Sequence, residues 1–107
     1  MANTFKSIQA TVNLAAASIY TVPAVTTAVV IGLRIGNNLS TDITVAARLV
    51  RGATKTNVVG EGTPIPAGSA LEGVMGSKLV MQASDALEVQ GSADGCAEIT
   101  LSVLEMA

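Results

Sequence analysis

The stretch Thr27-Ala-Val-Val-Ile-Gly-Leu-Arg-Ile-Gly-Asn37 sets the terms for the whole chain. Its apolar residues Val29, Ile31, Leu33 and Ile35 recur at every second position, the period that puts alternate side chains on one face of a β-sheet. On the opposite face Val30 interrupts the polar set, and Gly32 and Gly36 leave the surface nearly bare. Such a strand is built to be covered on its large branched face, and its thin face is apolar enough to be covered too. No stretch carries a helical period of useful length, so the chain must fold from strands.

The remaining segments repeat the theme in shorter pieces. A first strand is expected from about Phe5 to Leu14 with Ile8, Val12 and Leu14 inward. A second covers Ser18–Val22 and is stopped by Pro23, which offers no N–H to a ladder. Asn37–Asp42 reads as a polar turn. The chain then returns from Asp42 to Arg51 with Ile43, Val45, Ala47 and Leu49 on one face. Paired with Thr27–Asn37, this would form an antiparallel hairpin with matching apolar faces. Gly52–Thr56 is a basic, polar turn, and Asn57–Thr63, weakened by Gly60 and Gly62, is a poor strand suited to an edge. Pro64–Ser69 is the clearest loop, held extended by two prolines, with Gly68 free to take positive φ. Short strands follow at Ala70–Val74 and Lys78–Met81, and Ala86–Gln90 alternates again. Ser92-Ala-Asp-Gly95 predicts a type I′ hairpin turn into a last strand, Cys96–Leu104, with Ala97, Ile99, Leu101 and Val103 inward. About eight short strands with regular turn signals predict one all-β domain over residues 1–107. The expected architecture is a small antiparallel β-sandwich, of which a jelly roll is one form, with a closed barrel as the alternative.

Half of the 107 residues are apolar, yet there is one Phe, one Tyr and no Trp, and only 13% are charged. The core must be filled in small units of Ala, Val, Leu and Ile. The apolar content exceeds what one thin sandwich conveniently hides, which points to self-association or docking on a larger assembly. A net charge of −2 argues against a general nucleic-acid or membrane-surface binder. The charges are segregated: residues 1–60 carry Lys6, Arg34, Arg48, Arg51 and Lys55 against Asp42, whereas residues 61–107 carry seven acids against Lys78. Cross-strand ion pairing within one copy is the expected use of this polarity, and registration of neighbouring copies the alternative. Cys96 stands alone among small residues, an inert thiol outside any disulfide framework. The longest apolar run, Ala24–Leu33, is far short of the roughly 20 residues a membrane helix needs. Leu14-Ala-Ala-Ala-Ser18 resembles a signal-peptidase site, but the preceding alternation of Ile8, Ala10, Val12 and Leu14 with polar residues is a strand pattern, so no leader is expected.

The residue inventory is unfavourable to catalysis. Without His no Ser-His-Asp or Cys-His arrangement can be built, and one Cys without His excludes ordinary zinc sites. Asp85 with Glu88, and Asp94 with Glu98, lack calcium-loop spacing and read as structural, solvated carboxylates. Gly60-Glu-Gly62 and Gly73-Val-Met-Gly76 lack the following helix and Lys-Ser/Thr of a phosphate loop. Arg34, Arg48, Arg51 and Lys55 would form a basic strip if the hairpin pairing holds, but only Phe5 and Tyr20 could stack on bases. Met75 and Met81 are expected to pack in gaps, and Tyr20 to be a partly buried strand residue with its hydroxyl at the rim. The expectation is a protein with no enzymatic activity, cofactor or metal.

The succession Tyr20-Thr-Val-Pro23, Val29-Val-Ile-Gly-Leu-Arg-Ile-Gly-Asn37, Val45-Ala-Ala-Arg-Leu-Val-Arg-Gly52, Pro64-Ile-Pro-Ala-Gly-Ser-Ala-Leu-Glu72 and Lys78-Leu-Val-Met-Gln-Ala-Ser-Asp-Ala-Leu-Glu-Val-Gln90 resembles small structural proteins of tailed bacteriophages, including those of cyanobacteria. The likeness is one of strand-and-turn style and runs from about Tyr20 to Glu105. It implies a β-sandwich part of a virion: a homotrimeric capsid decoration (cement) protein, made in the host cytoplasm and bound on the outer surface of the head across subunits of the major capsid protein. A neck, tail or fibre accessory with portal, neck or tail partners is the alternative. A host-surface glycan-binding module is a further one, disfavoured by the scarcity of aromatic platforms. Partner contacts are expected from an N-terminal arm over residues 1–7 (Thr4, Phe5, Lys6) and from the loops Asn37–Asp42 (Asn37, Asn38) and Pro64–Ser69 (Pro64, Pro66), because termini and loops are where contacts are easily placed.

Overall fold

The computed structural model describes residues 3–72 and 79–106, and every regular element among them is a β-strand. The strands are β1 (Asn3–Val12), β2 (Ala17–Thr21), β3 (Thr27–Asn37), β4 (Ile43–Arg51), β5 (Thr54–Ile65), β6 (Ala70–Glu72), β7 (Leu79–Met81), β8 (Ala86–Gly91) and β9 (Ala97–Met106). They form a five-stranded sheet in the order β1-β9-β3-β6, with β7 also against β3, and a four-stranded sheet in the order β2-β8-β4-β5. All pairs are antiparallel. The pairing is nested: β1 with β9, β2 with β8, β3 with β6 and β7, β4 with β5. One long hairpin, its tip at the β4–β5 turn, is in effect folded over so that successive pairs fall in opposite sheets. This is jelly-roll connectivity in an open sandwich, and the barrel alternative is set aside.

Between the sheets, Ala28, Val30, Leu33 and Ile35 of β3 and Ala97, Ile99, Leu101 and Val103 of β9 meet Ile43, Val45 and Ala47 of β4 and Leu87 and Val89 of β8, none more than 3% exposed. The inward sets expected for β4 and β9 are borne out, with Leu49 only half-buried at the margin. The interior is aliphatic: no aromatic ring is among its largest fully buried side chains, and Met81 fills a place there.

The expected face of β3 is corrected. Against β9, Val30 stands opposite Val103 and Gly32 opposite Ser102, so Ile31 is one residue too many. Such a bulge reverses which parity faces the core. Ala28 and Val30 therefore point inward before it and Leu33 and Ile35 after it, while Val29 and Ile31 turn outward.

Two expected hairpins are also corrected. β3 and β4 lie in different sheets, because both flanks of β3 are taken by β9 and by β6 and β7; their apolar faces meet across the core instead of side by side. Ser92–Gly95 likewise crosses between sheets, and of its residues only Gly95 has positive φ (65°), whereas a type I′ turn needs two such residues. The tight hairpin is at Gly52-Ala53, shorter than the turn expected there, with Gly52 at φ 60° in the first central position of a type II′ geometry. β5 is the expected edge, but longer, and it takes in Pro64, which an edge tolerates. The loop after it is confined to 66–69. β1 begins at Asn3, and of its inward candidates Val12 is buried, Ile8 is half-buried and Leu14, past the strand end, is exposed. Expectations for Met1 and Ala2 of the arm, Gly73 and Val74 of the β6 region, Met75, Gly76 and Lys78 fall outside the described residues.

Candidate docking face

The outer face of the five-stranded sheet carries the least ordinary surface of the molecule. Register places Phe5 opposite Leu104, Leu104 opposite Val29, and Val29 opposite Val80. Cross-strand partners project to the same side. Four apolar side chains from β1, β9, β3 and β7 thus stand in one line across the sheet, about 14 Å long at the usual strand spacing. The bulge adds Ile31 beside this row. Phe5 is 74% exposed, Val80 52% and Ile31 44%. Beyond the same end, Val25 at the tip of the β2–β3 loop is 89% exposed and holds φ at 57°, a conformation a β-branched residue rarely adopts. Toward the other end the face becomes polar: Gln9, Thr100, Arg34 and Glu72 line up, then Thr11, Glu98, Gly36 and Ala70.

The outer face of the four-stranded sheet is closed by charge. Arg48 donates from Nη1 to Glu88 Oε1 (3.0 Å) and from Nη2 to Gln90 Oε1 (3.1 Å), and pairs with Glu61 (3.6 Å). Lys55 Nζ reaches Glu88 Oε2 at 3.1 Å. The hydrogen bond from Lys55 and that from Arg48 outweigh burial and hold the Glu88 carboxyl below the usual carboxylate range. Glu61 reaches Arg48 because Gly60, Glu61 and Gly62 bulge opposite the single residue Ala46, with Gly62 at φ 81°. That arch leaves a groove of about 200 Å³ lined by Thr44, Ala46, Glu61 and Gln90. The two glycines that weaken β5 as a strand are what permit the arch.

Two further ion pairs sit at the end nearest the apolar row. Glu105 continues the inward alternation of β9 and is 7% exposed. It accepts from the Tyr20 hydroxyl (2.5 Å) and pairs with Lys6 (3.0 Å), so one carboxylate joins β2 of one sheet to β1 and β9 of the other. The Tyr20 hydrogen bond, then that from Lys6, holds its carboxyl low, while burial and the carboxylate push the Tyr20 hydroxyl up. Asp85, in the β7–β8 turn, accepts from Arg51 Nε and Nη2 and from the Gln82 N–H. Arg51 above all keeps its carboxyl low.

Thus Arg48, Arg51 and Lys55 each meet an acid from the second half of the chain, and Arg34 lies on the other sheet opposite Glu72. The basic strip is not assembled, and cross-strand pairing within one copy is borne out. Tyr20 is a half-buried strand residue as expected, with its hydroxyl engaged by the buried Glu105 carboxylate. Asp85 and Glu88 are structural but not solvated: both are largely buried against cations.

The expected contact residues divide between opposite ends of the sandwich. Thr4, Phe5 and Lys6 belong to β1 and form no free arm. Phe5 joins the apolar row, Lys6 is engaged with Glu105, and Thr4 lies opposite Glu105. Asn37 and Pro66 are brought together at the far end, where the Asn37 amide donates to the carbonyls of Thr41 (2.9 Å), Ile65 (3.0 Å) and Pro66 (3.2 Å), and its Oδ1 accepts from Leu39 N–H. Asn37 is a pin between loops. Asn38 and Pro64 are exposed, the latter within β5. Val29, Ile31, Val80 and Leu104 were missed as surface residues. The signal for Val29 and Ile31 was the apolar run Ala28–Leu33, and for Val80 and Leu104 the adjacent apolar residues Leu79-Val80-Met81 and Val103-Leu104, where consecutive apolar side chains clothe both faces of a strand.

No protein-family model and no curated protein matches the chain. Among solved structures it is similar to a protein of Bacillus endospore appendages, which form disulfide-linked pili, at 18% identity and a TM-score of 0.59 over 99% of this chain and 87% of that one. It is also similar to a chain of the T13 viral particle of IBDV, at 13% identity and a TM-score of 0.55 over 96% of this chain and 30% of that one. A looser overlap, at 14% identity and a TM-score of 0.44 over 92% and 59% of the two chains, is with a pentameric capsid protein from metagenomic phage sequences. What the chain shares with the first two is a fold, found both in a chain of the endospore appendages and in part of a chain of the viral particle.

Proposed function

We propose that the chain is a structural protein of a virion, a capsid decoration protein that docks the outer face of its five-stranded sheet on the major capsid protein at the outside of the head. The observation that carries this reading is the apolar row Phe5–Leu104–Val29–Val80, exposed at both ends and half-buried between them among the described residues, a surface that water penalises and an assembly would cover. The jelly-roll fold and its likeness to part of a viral shell chain support it, as does the resemblance of the strand-and-turn segments to tailed-phage proteins. The mechanism is mechanical and asks for no bond-making residue. A docked copy spans neighbouring capsid subunits, so separating them must also break its contacts. Because it binds the assembled lattice in preference to free subunits, it stabilises that lattice by mass action.

Burying a Phe side chain is worth roughly 2–3 kcal/mol, or about 30–150-fold in affinity. Phe5→Ser should therefore weaken co-sedimentation with purified heads by more than about tenfold and leave the unfolding curve nearly unmoved. Undiminished binding by Phe5→Ser and by Val80→Ser would reject the face. Gold-labelled antibody confined to neck, tail or fibres would reject the capsid and favour the accessory role.

A further inference from the structure

We infer that β1 is a pairing strand, and that two copies of this chain join by antiparallel pairing of its open edge with the β1 of a second copy. A sheet edge presents unpaired backbone N–H and C=O groups, and proteins ordinarily guard such edges with short strands, bulges, proline or charge. Three of the four edges here are guarded in that way. β2 is five residues long with a register shift at Ile19. β5 is broken by two register shifts and carries Gly60, Gly62 and Pro64. Among the described residues, β6 and β7 have three residues each.

β1 is neither short nor interrupted. Its ten residues run in unbroken register with β9 from Asn3 opposite Met106 to Val12 opposite Ala97, without Gly, Pro or bulge. In an antiparallel ladder alternate residues bond the neighbour, so half of β1 directs its N–H and C=O away from β9. Among the described residues nothing pairs with that side. Its one guard is a charge, Lys6, turned to the inward side, where Glu105 neutralises it.

The side chains favour a second copy as the occupant. An isologous contact must be self-complementary. With the two-fold axis at Ser7, Asn3 meets Thr11, Phe5 meets Gln9 and Ser7 meets its own symmetry mate on the outer side. Toward the core, Thr4 meets Ala10 and Lys6 meets Ile8. No like charges are opposed. Ile8 and Ala10, half-buried at the open margin of the core, gain cover from the partner's Thr4 and the Lys6 stem. The axis is perpendicular to the sheet, so the outer faces of both copies stay on one side and two apolar rows are offered together. Edge pairing alone buries less than the roughly 800 Å² per partner of a stable interface, so the free dimer is expected to be weak, with Kd at or above about 1 µM. The contact is two-fold, not the threefold of a homotrimer.

The test uses the full chain without capsids, so its outcome is independent of the docking proposal. Cross-strand Cα atoms about 4.5–5.5 Å apart suit a disulfide. Ser7→Cys should form a covalent dimer under mild oxidation at least about tenfold faster than Thr100→Cys, an exposed control in the middle of the same face. Cys96 is fully buried and does not compete. In sedimentation velocity the wild type should dimerise toward about 1 mM, and Ser7→Asp, which sets two carboxylates opposite one another, should remain monomeric with an unchanged unfolding curve. Equal cross-linking rates at the two positions, a trimer, or a wild type that stays monomeric throughout would each overturn the inference.

Discussion

The bulge in β3 makes a prediction that sequence alternation and structure answer in opposite ways. Alternation puts Ile31 in the core and Val30 outside; the structure puts Val30 at 0% exposure and Ile31 at 44% on the outer face. Threonine keeps the β-branch, so the pair Val30→Thr and Ile31→Thr probes environment more than propensity. In Val30→Thr a hydroxyl replaces a methyl amid Ala28, Leu33 and Val103 in the apolar interior, at a cost of about 1–3 kcal/mol. Ile31→Thr removes apolar contact from a half-open surface and should cost under about 1 kcal/mol. With a urea slope of about 1–2 kcal/mol/M for a domain this size, Val30→Thr should lower the midpoint by about 0.5–3 M and Ile31→Thr by less than Val30→Thr, under about 1 M, both at unchanged slope. If Ile31→Thr is the more damaging, the bulge is misplaced and the outward turn of Val29 and Ile31, on which the docking face depends, fails with it.

Other consequences follow from close packing and buried polar groups. A Cβ on Gly91 would meet Cys96 Sγ and come within 2.9 Å of Val12 Cγ1, so Gly91→Ala should cost about 2–3 kcal/mol in urea unfolding, with much of the loss recovered by adding Cys96→Ala. Asn37→Ala removes donors shared by three carbonyls and should cost about 2 kcal/mol, whereas Asn38→Ala should stay within about 0.5 kcal/mol. The carboxyls of Asp85, Glu88 and Glu105 are all held low in the fold, so their contribution is complete above the unfolded values near 4 and is lost as pH falls through the folded ones. Chemical-denaturation midpoints should accordingly be level from about pH 5 to 8 and fall below about pH 4. The raised Tyr20 hydroxyl reverses the sign at the alkaline end, its contribution being lost above about pH 10.

The parts of the fold that were legible are those in which local pattern and final environment agree. β9 lies inside the five-stranded sheet with an unbroken inward set, and its alternation survives into the structure residue for residue. β3 has the same kind of alternation, but one inserted residue reverses its meaning; Gly32 is the kind of residue that marks a bulge, yet Gly36 in the same strand pairs in regular register, so glycine alone does not say where the alternation breaks. Alternation also says which side of β4 is inward without saying which sheet it joins. That choice is made by the nested pairing, a property of segments far apart in sequence. Turn chemistry has the same limit: Asp94-Gly95 suits a hairpin, yet here it carries the chain across the sandwich. Phe5 was singled out as part of an arm, whereas the structure places it within β1, in one row with Leu104 of β9, Val29 of β3 and Val80 of β7. Asn37 drew attention as a polar loop residue, and its amide is spent inside the fold.

The two sheets dispose of their outer faces differently, and this lets docking and pairing be separated. Covering the Arg48–Glu88–Lys55 face would strip water from charges already partly buried, a cost that new contacts must overcome. Covering the row on the other sheet buries no charge. Docking face and open edge thus fall on the same sheet, with Phe5 on the strand common to both and Val80 at the opposite margin, on β7. Val80→Ser should therefore weaken capsid binding while leaving the free dimer intact. Ser7→Asp should abolish the dimer, and because Ser7 lies on the outer face two residues from Phe5 it should also lower capsid binding, both through the added charge and through the loss of two-row attachment. If Val80→Ser instead dissolved the free dimer, the copies would be meeting face to face through the row, and the edge would have to be given up as the site of pairing.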